Sequence, residues 1–243
     1  MNSAIVRDSL QKLSETVSFK YPAVGWYFSS EAIENSFVFK NEKWVCMFMY
    51  LKKVINKGKR IRFSEDNGNA CGAVECFGYK ELTGSDGKFI AETERFKKTI
   101  ELAQDYYKES LKTINPPKEK YLYMEKIETI DENREIEVVN LFPDVTGLAK
   151  LTVLSYYDRE SNMDNVLTPF ASGCESVFTV PYNEKFQKKP KSVIGLMDVL
   201  VRNFIPEDMV SFSMPSNRFI EMANNIEGSF LDKNLPSWQG GTV

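Results

Sequence analysis

The four cysteines of this 243-residue chain are the side chains best suited to nucleophilic or metal chemistry, and Cys71 stands in the most suggestive position. A β-branched and aromatic run at 60–63 leads into a polar loop that contains Gly68, and small residues then open a helix-compatible segment. We therefore expect Cys71 near a helix N-terminus. The partial positive charge of unpaired amides there favours the thiolate, the form that attacks electrophiles and binds metals. The alternative is a small buried side chain, because free cysteine is among the most buried residue types.

The spacing of the other cysteines excludes the common redox and zinc motifs. Cys71 and Cys76 are five positions apart, which places them on different faces of a helix and does not make a CxxC pair. Cys46 lies within a helix predicted over Glu42–Asn56, in which apolar side chains surround the axis. On this pattern alone Cys46 is a core cysteine. Gly58 is expected to end the helix.

A second segment repeats the arrangement around Cys71. Residues 165–170 are predicted to form a short strand, which runs into a small-residue loop with Gly173 and Cys174 where a helix could begin. Chance similarity explains so short a match equally well. If the repetition is real, two similar strand–loop–helix halves face each other, and Cys71 and Cys174 line one pocket at neighbouring helix N-termini.

A cluster of cations spans the end of the Cys46 helix and the start of the next strand. Its members are Lys52, Lys53, Lys57, Lys59, Arg60 and Arg62. One interpretation is that cations near a helix C-terminus complement the macrodipole and remain in water. The other is an anion site in which Lys59, Arg60 and Arg62 act together with the backbone amides that follow Gly68 and Gly173.

The chain contains no histidine, and this absence removes whole classes of function. It excludes Ser-His-Asp and Cys-His catalysis, as well as histidine-ligated zinc or non-haem iron. Acid–base chemistry falls to carboxylates, lysine, tyrosine or cysteine, and metal binding falls to thiolates or oxygen ligands. The sequence also lacks GxxxxGK[ST], GxGxxG and acidic calcium-loop motifs.

The composition indicates a chain with a sizeable core, because 42% of its residues are apolar. No linker rich in proline, glycine or serine interrupts it, so we predict a single α/β domain over residues 1–243 with an irregular tail at 235–243. The net charge of −3 argues against nucleic acid as a partner. Neither a signal peptide nor a membrane-length apolar run is found, which predicts a cytoplasmic protein without a membrane partner. In that reducing compartment the cysteines are expected to be free thiols, ligands or catalytic groups.

Hydrophobic periodicity places the elements that must position the cysteines. Besides Glu42–Asn56, helices are predicted at Glu94–Leu111, Val145–Tyr157 and Ser192–Phe204. Strands are predicted at Ala23–Phe28, Tyr121–Met124, Ile136–Phe142 and Met209–Met214. Asp198 and Arg202 are spaced as an ion pair on the last helix. The order predicts a mixed α/β fold whose central mixed sheet is flanked by helices, with several parallel neighbours.

Several segments together resemble the prokaryotic domain of unknown function catalogued under number 169, over roughly Ala23 to Asn225. They are Trp44 to Gly58 with its internal Cys46, Cys71-Gly72-Ala73 through Gly78, Gly173-Cys174, Asp198-x-x-x-Arg202 and Phe212-Ser213-Met214-Pro215. The resemblance implies that Cys46, Cys71 and Cys174 occupy motif positions, and it brings no established activity. Family patterns often carry a further cysteine and glycine near Met197-Asp198 of this chain, so a four-cysteine site on the family's plan needs Cys76 as a substitute.

Three hypotheses for function follow, all with a metal or a small molecule as the partner. The first is a soft metal or an iron–sulfur cluster bound by Cys46, Cys71 and Cys174, with Cys76 as the candidate fourth ligand. The second is a metal-free module that binds an anionic metabolite at Gly68, Gly72, Gly173 and the basic residues. The third is a histidine-free thiol enzyme with Cys71 as the nucleophile.

Overall fold

The structure is a computed structural model that describes residues 1–38, 45–66, 73–80, 87–109, 118–170 and 173–234. Its α-helices are α1 (Ser3–Ser14), α2 (Met47–Lys57), α3 (Ala73–Cys76), α4 (Ile100–Glu109), α5 (Val145–Tyr157), α6 (Val180–Glu184) and α7 (Ser216–Asn224). Its strands are β1 (Phe19–Ser29), β2 (Ile61–Phe63), β3 (Tyr121–Lys126), β4 (Ile136–Pro143), β5 (Val166–Leu167), β6 (Ser192–Gly195) and β7 (Ser211–Pro215). Two π-helices occur at Phe89–Thr93 and Glu175–Thr179, and two 3-10 turns at Ile127–Thr129 and Arg202–Phe204. Among the described helices, none has the length and apolar character needed to cross a bilayer.

The described strands form one seven-stranded sheet in the order β2-β3-β1-β4-β7-β6-β5, and the predicted mixed α/β fold is confirmed. The predicted set of parallel neighbours is wrong. Among the described strands only β5 and β6 pair in parallel, and the other five pairings are antiparallel. The prediction from the strand–helix order failed because β1 inserts between β3 and β4. These two strands run in the same direction and are joined without a crossover α-helix. A strand between them runs against both.

The central position of β1 follows from its sequence, which is apolar on both faces, as the prediction for an inner strand requires. Trp26 and its alternating neighbours face a core formed with α2, α3, α4 and α6, whereas Tyr27 faces a second core formed with α1, α5 and α7. In register, Trp26 lies opposite Met124 of β3 and Val138 of β4. The sheet therefore separates two apolar layers, and all three described cysteines belong to the layer on the Trp26 side.

Helix α2 is much more buried than α4, as predicted. Six of its residues are buried, namely Met47, Phe48, Tyr50, Leu51, Val54 and Ile55. Gly58 ends α2 in the left-handed conformation at φ 58°, which also confirms the predicted C-cap. Only the outer stripe of α2 remains in contact with solvent.

The predicted start of the Glu94 helix is wrong, since α4 begins at Ile100. Arg95 has φ 58°, a left-handed conformation that no α-helix interior accommodates. The N–H of Phe96 donates to the carbonyl of Ile90 and closes the preceding π-helix. Residues 110 and 111 of the predicted helix lie outside the described residues.

The predicted helix Ser192–Phe204 is also wrong, because its first four residues form strand β6. A β-carbon at Gly195 would overlap Ser176, whose hydroxyl accepts a hydrogen bond from the N–H of Leu196 at 3.1 Å. Leu196 itself has φ 66° and breaks any helix there. The predicted Asp198–Arg202 ion pair gives way to other contacts: the guanidinium of Arg202 donates to the carbonyls of Leu196 and Glu207, each at 2.6 Å.

A buried arginine joins α5 to α7 on the opposite layer. Arg218 is 1% exposed and donates to both carboxylate oxygens of Asp158, at 2.7 and 2.8 Å. It also donates to Glu221 and to the carbonyl of Ser155, each at 3.0 Å. Desolvation of Asp158 raises the pKa of its carboxyl, but the hydrogen bonds and charge of Arg218 outweigh burial and hold this pKa below its ordinary value.

We expect Asp158→Asn to lower the free energy of unfolding at neutral pH, and this loss to shrink as the solution is acidified. A carboxyl whose pKa is lower in the folded state stabilises the fold above its unfolded pKa of about 3.9. That contribution disappears as the pH falls through the folded pKa. Urea unfolding at about pH 7 and about pH 3 measures the difference between variant and wild type, which should fall by roughly half or more. The exposed Asp8→Asn variant is the control, and a pH-independent loss for Asp158→Asn would contradict the prediction.

Candidate functional site

The first described cysteine of the site, Cys46, caps the N-terminus of α2. Its Sγ accepts a hydrogen bond from the N–H of Phe48 at 3.4 Å, and its own backbone is extended. Cys46 is therefore outside the helix, which begins at Met47, and the prediction that placed it within Glu42–Asn56 is wrong on this point. Residues 42–44 lie outside the described residues. The side chain of Cys46 is only 4% exposed, so solvent has little access to the capping sulfur.

The second cysteine, Cys174, is helical together with Gly173 and leads into the π-helix Glu175–Thr179, which continues directly into α6. Gly173 packs so closely on Phe48 that a β-carbon at this position would overlap the phenyl ring. Phe48 is two residues after Cys46, and Gly173 is one residue before Cys174. One glycine–phenylalanine contact thus brings the start of α2, which Cys46 caps, next to the helical segment that carries Cys174.

The third cysteine, Cys76, is the last residue of α3 and belongs to the same apolar layer. Its carbonyl accepts a hydrogen bond from the hydroxyl of Thr179 at 3.0 Å, so α3 contacts the π-helix. The rings of Phe77 and Phe178 meet beside this bond, with centroids 4.9 Å apart. Three cysteines from distant parts of the sequence therefore share one face of the sheet.

The two strand–loop–helix units predicted from the sequence begin at opposite edges of the sheet. Strand β2 forms one edge and precedes α3, and β5 forms the other edge and precedes the second π-helix. Their helices meet over the middle of the sheet through the Cys76–Thr179 hydrogen bond. This bond joins the last residue of α3 to the last residue of the π-helix, and the predicted shared pocket of Cys71 and Cys174 stays a prediction. Gly68, Cys71 and Gly72, which complete the first half, lie outside the described residues.

A buried asparagine holds the second π-helix against the sheet. In this helix the N–H of Val180 donates to the carbonyl of Glu175, five residues back. Pro181 has no N–H to offer the carbonyl of Val177 in the α-helical pattern, and the amide of Asn140 donates to that carbonyl at 2.8 Å instead. Asn140 also accepts from the indole of Trp26 at 2.6 Å.

Sequence reasoning missed Glu175, which follows Cys174 and is completely buried. The hydroxyl of Tyr106 on α4 donates to its Oε2 at 2.9 Å. Tyr106 in turn contacts Phe170 edge-on at 5.0 Å, and the ammonium of Lys97 lies 4.4 Å from the Phe170 ring. The only signal in the sequence was an acidic residue inside an otherwise apolar and small-residue run, which marks a buried carboxylate with a partner.

Two further carboxylates lie near each other, Glu94 and Asp198. Burial and then the charge of Asp198 raise the pKa of Glu94, and burial raises the pKa of Asp198 although the N–H of Leu200 donates to it. Within the part of the chain that the structure describes, no three cysteine, aspartate or glutamate side chains form a group able to hold a metal ion. Among the described residues, no third cysteine or carboxylate therefore joins Glu94 and Asp198 to complete a metal site.

The basic residues of the sequence-based anion site lie away from the described cysteines. Arg60 binds Glu125 with two hydrogen bonds, at 2.7 and 3.1 Å, and Glu125 also accepts from Tyr27. The guanidinium of Arg62 lies 4.7 Å from the ring of Tyr121. Tyr27 and Tyr121 belong to the second layer, so Arg60 and Arg62 are on the opposite face of the sheet from Gly173 and Cys174. Lys59 is exposed beyond Gly58.

Comparison with known proteins identifies the family of this chain. Residues 12–225 match the family described as uncharacterised ArCR, the domain of unknown function DUF169, and the chain belongs to that family. The resemblance drawn from the cysteine, glycine and aspartate–arginine segments is thereby confirmed. No curated protein and no solved structure matches the chain.

Proposed function

We propose that this protein binds a soft metal ion or an iron–sulfur cluster through cysteine thiolates, with Cys46, Cys71 and Cys174 as ligands and Cys76 as the candidate fourth. The observation that carries the proposal is the contact between Phe48 and Gly173, which brings the start of α2 next to the segment of Cys174 across more than a hundred residues of sequence. No three described side chains form a ligand group, so the proposal requires Cys71.

The position of Cys46 at the start of α2 supports a thiolate ligand. The N–H of Phe48 already donates to the sulfur of Cys46, and helix N-termini carry partial positive charge that offsets the charge of a thiolate centre. Cysteine is the ligand that soft metals and iron–sulfur clusters prefer, and a chain without histidine has no competing imidazole. The buried hydrogen bond between Tyr106 and Glu175 ties the segment beside Cys174 to α4.

Metal and sulfide analysis of protein purified without oxygen tests the proposal. We expect iron with sulfide, or one equivalent of a soft metal, in the wild type. Cys46→Ser and Cys174→Ser should each lower metal occupancy by at least about tenfold, the lower end of what even an outer-shell change costs. Cys71→Ser should do the same. Thermal unfolding of each variant separates loss of metal from loss of fold.

Cys76→Ser serves as the matched variant of a cysteine buried in the same layer. Full metal retention would assign the site to three cysteines, and loss would assign Cys76 as the fourth ligand. A metal-free wild type, or occupancy that survives both Cys46→Ser and Cys174→Ser, would contradict the proposal. That result would leave the anion-binding module and the thiol enzyme as the hypotheses to pursue.

A further inference from the structure

A cavity of about 280 Å³ lies on the outer side of α2, away from the cysteines. Its lining comes from α2 and from the 3-10 turn Arg202–Phe204, and consists of Met49, Lys52, Lys53, Asn56, Lys57, Asn203 and Phe204. This volume is close to the lower end of small-molecule pockets, about 300 Å³. The cavity is therefore of a size to hold a small ligand.

The α2 side of this cavity is one continuous face of the helix. Its positions follow the spacing i, i+3, i+4, i+7 and i+8 from Met49, so their side chains stand above one another. The other faces of α2 bury Phe48, Leu51 and Val54 in the core. The lysines are thus held on a rigid, core-anchored helix rather than on a loop.

The charge on this face exceeds what the helix itself requires. The macrodipole acts within the last turn of a helix, which accounts for Lys57 but not for Lys52, more than one turn from the end. Lys53 and Lys57 are like charges at i and i+4, a spacing that destabilises a helix. No carboxylate among the described residues lies within 4.0 Å of the ammonium of Lys52 or Lys57. The ammonium of Lys53 lies 4.5 Å from the Phe37 ring.

The opposite wall of the cavity is fixed by Arg202. Its guanidinium donates to the carbonyls of Leu196 and Glu207 and ties the two ends of the segment that carries Asn203 and Phe204. Asn56 on α2 and Asn203 on the turn also line the cavity, together with Met49 and Phe204. Polar and charged residues thus border a space whose lining surface is mostly apolar, as in ligand pockets generally.

We propose that this cavity is a binding site for a small phosphate-bearing molecule, whose phosphate oxygens accept from Lys52 and Lys57. Lysine is a common phosphate ligand that acts as a point charge, and several oxygens on one group can satisfy two ammonium ions and the neighbouring amides. This site is separate from the cysteine site, because its ligands lie on the outer face of α2 and not at its N-terminal cap.

Titration of the full chain with inorganic pyrophosphate at low ionic strength, followed by calorimetry, tests this proposal. We expect Lys52→Gln and Lys57→Gln each to weaken binding about tenfold, the effect of losing one charge-assisted hydrogen bond. Lys59→Gln is the matched control, since it removes the same charge two residues away without lining the cavity. Its affinity should stay within about twofold of the wild type, a change smaller than the loss of one such bond.

Two further measurements locate the site. Amide chemical shifts of Asn56 and Asn203 should move with pyrophosphate in the wild type and not in the Lys52→Gln, Lys57→Gln double variant. The Cys46→Ser variant should bind pyrophosphate as the wild type does, which keeps this test independent of the metal proposal. The proposal is overturned if pyrophosphate does not bind, if Lys59→Gln weakens binding as much as the cavity variants, or if the double variant still binds normally.

Discussion

Replacing Asn140 with alanine should lower the free energy of unfolding by about 3 kcal/mol, among the largest losses we expect for a single substitution. The side chain is completely buried and satisfies three partners at once. Its oxygen accepts from Trp26, and its amide donates to the carbonyl of Val177 and to the hydroxyl of Ser213 at 2.9 Å. Truncation leaves the indole N–H and the Val177 carbonyl buried without these partners. Urea unfolding of the purified variant measures the loss.

Ser213→Ala is the matched control for Asn140→Ala. It removes one of the three hydrogen bonds and leaves the other two, so we expect a loss of about 1 kcal/mol. The Asn140→Ala variant should also lower metal occupancy, because Asn140 holds the π-helix that follows Cys174. Equal losses for the two variants would show that Asn140 is no more than an ordinary hydrogen-bonding residue.

Gly173→Ala should destabilise the protein by roughly 2 to 3 kcal/mol and lower metal occupancy as well. The new methyl group overlaps the Phe48 ring, and a well-packed core accepts added volume only by shifting side chains or backbone. We expect the shift to move the segment of Cys174 away from the start of α2, which Cys46 caps. Unfolding by urea and metal analysis of the same preparation give the two readouts.

A second substitution should partly rescue the stability of the Gly173→Ala variant. Combining Gly173→Ala with Phe48→Ala removes the ring that the new methyl group meets, so the double variant should lose less stability than the sum of the two single variants. Gly58→Ala is the control: nothing lies within 4 Å of a β-carbon there, and its cost of about 1 kcal/mol comes from the positive φ alone. Phe48→Ala should not rescue Gly58→Ala. Simple additivity at Gly173 would contradict the steric account.

Local periodicity in the sequence was enough to predict the elements with strong patterns. Helix α5 has the predicted bounds, because Leu148, Leu151 and Leu154 keep a helical spacing, and β4 begins at the predicted Ile136, because residues 136–142 have high strand propensity. Gly58 ends α2 because glycine adopts the left-handed conformation at a helix C-cap, which is a local effect within one turn. These features depend only on neighbouring residues, so the sequence contains their full cause.

Features that depend on distant partners could not be predicted in this way. The partner of Arg60 is Glu125, and the antiparallel neighbours of β1 are strands made much later in the chain. The π-helix depends on Asn140, which supplies the hydrogen bond that Pro181 lacks. Leu196 adopts a positive φ that its own side chain disfavours, because Ser176 holds its N–H.

Within the candidate site, the sequence pattern did not show where each described cysteine lies relative to its helix. A cysteine at a helix N-terminus was predicted for Cys71, and among the described cysteines it is Cys46 whose sulfur caps a helix. The sequence pattern did not indicate this cap, because Trp44 and Met47 continue the apolar helical pattern through Cys46. Glu175 was overlooked because its partner, Tyr106, lies on a helix far away in sequence.

The place of β1 in the sheet has a consequence for how the chain is made. This strand lies between β3 and β4, yet about 100 residues of sequence separate its start from the start of β3. At synthesis rates of about 5 to 20 residues per second, β1 waits roughly 5 to 20 s for its first neighbour. During that time a strand with apolar side chains on both faces has no sheet to join. The nascent chain therefore exposes an aggregation-prone segment early in synthesis. Chaperone binding or faster elongation would shorten the exposure of this segment.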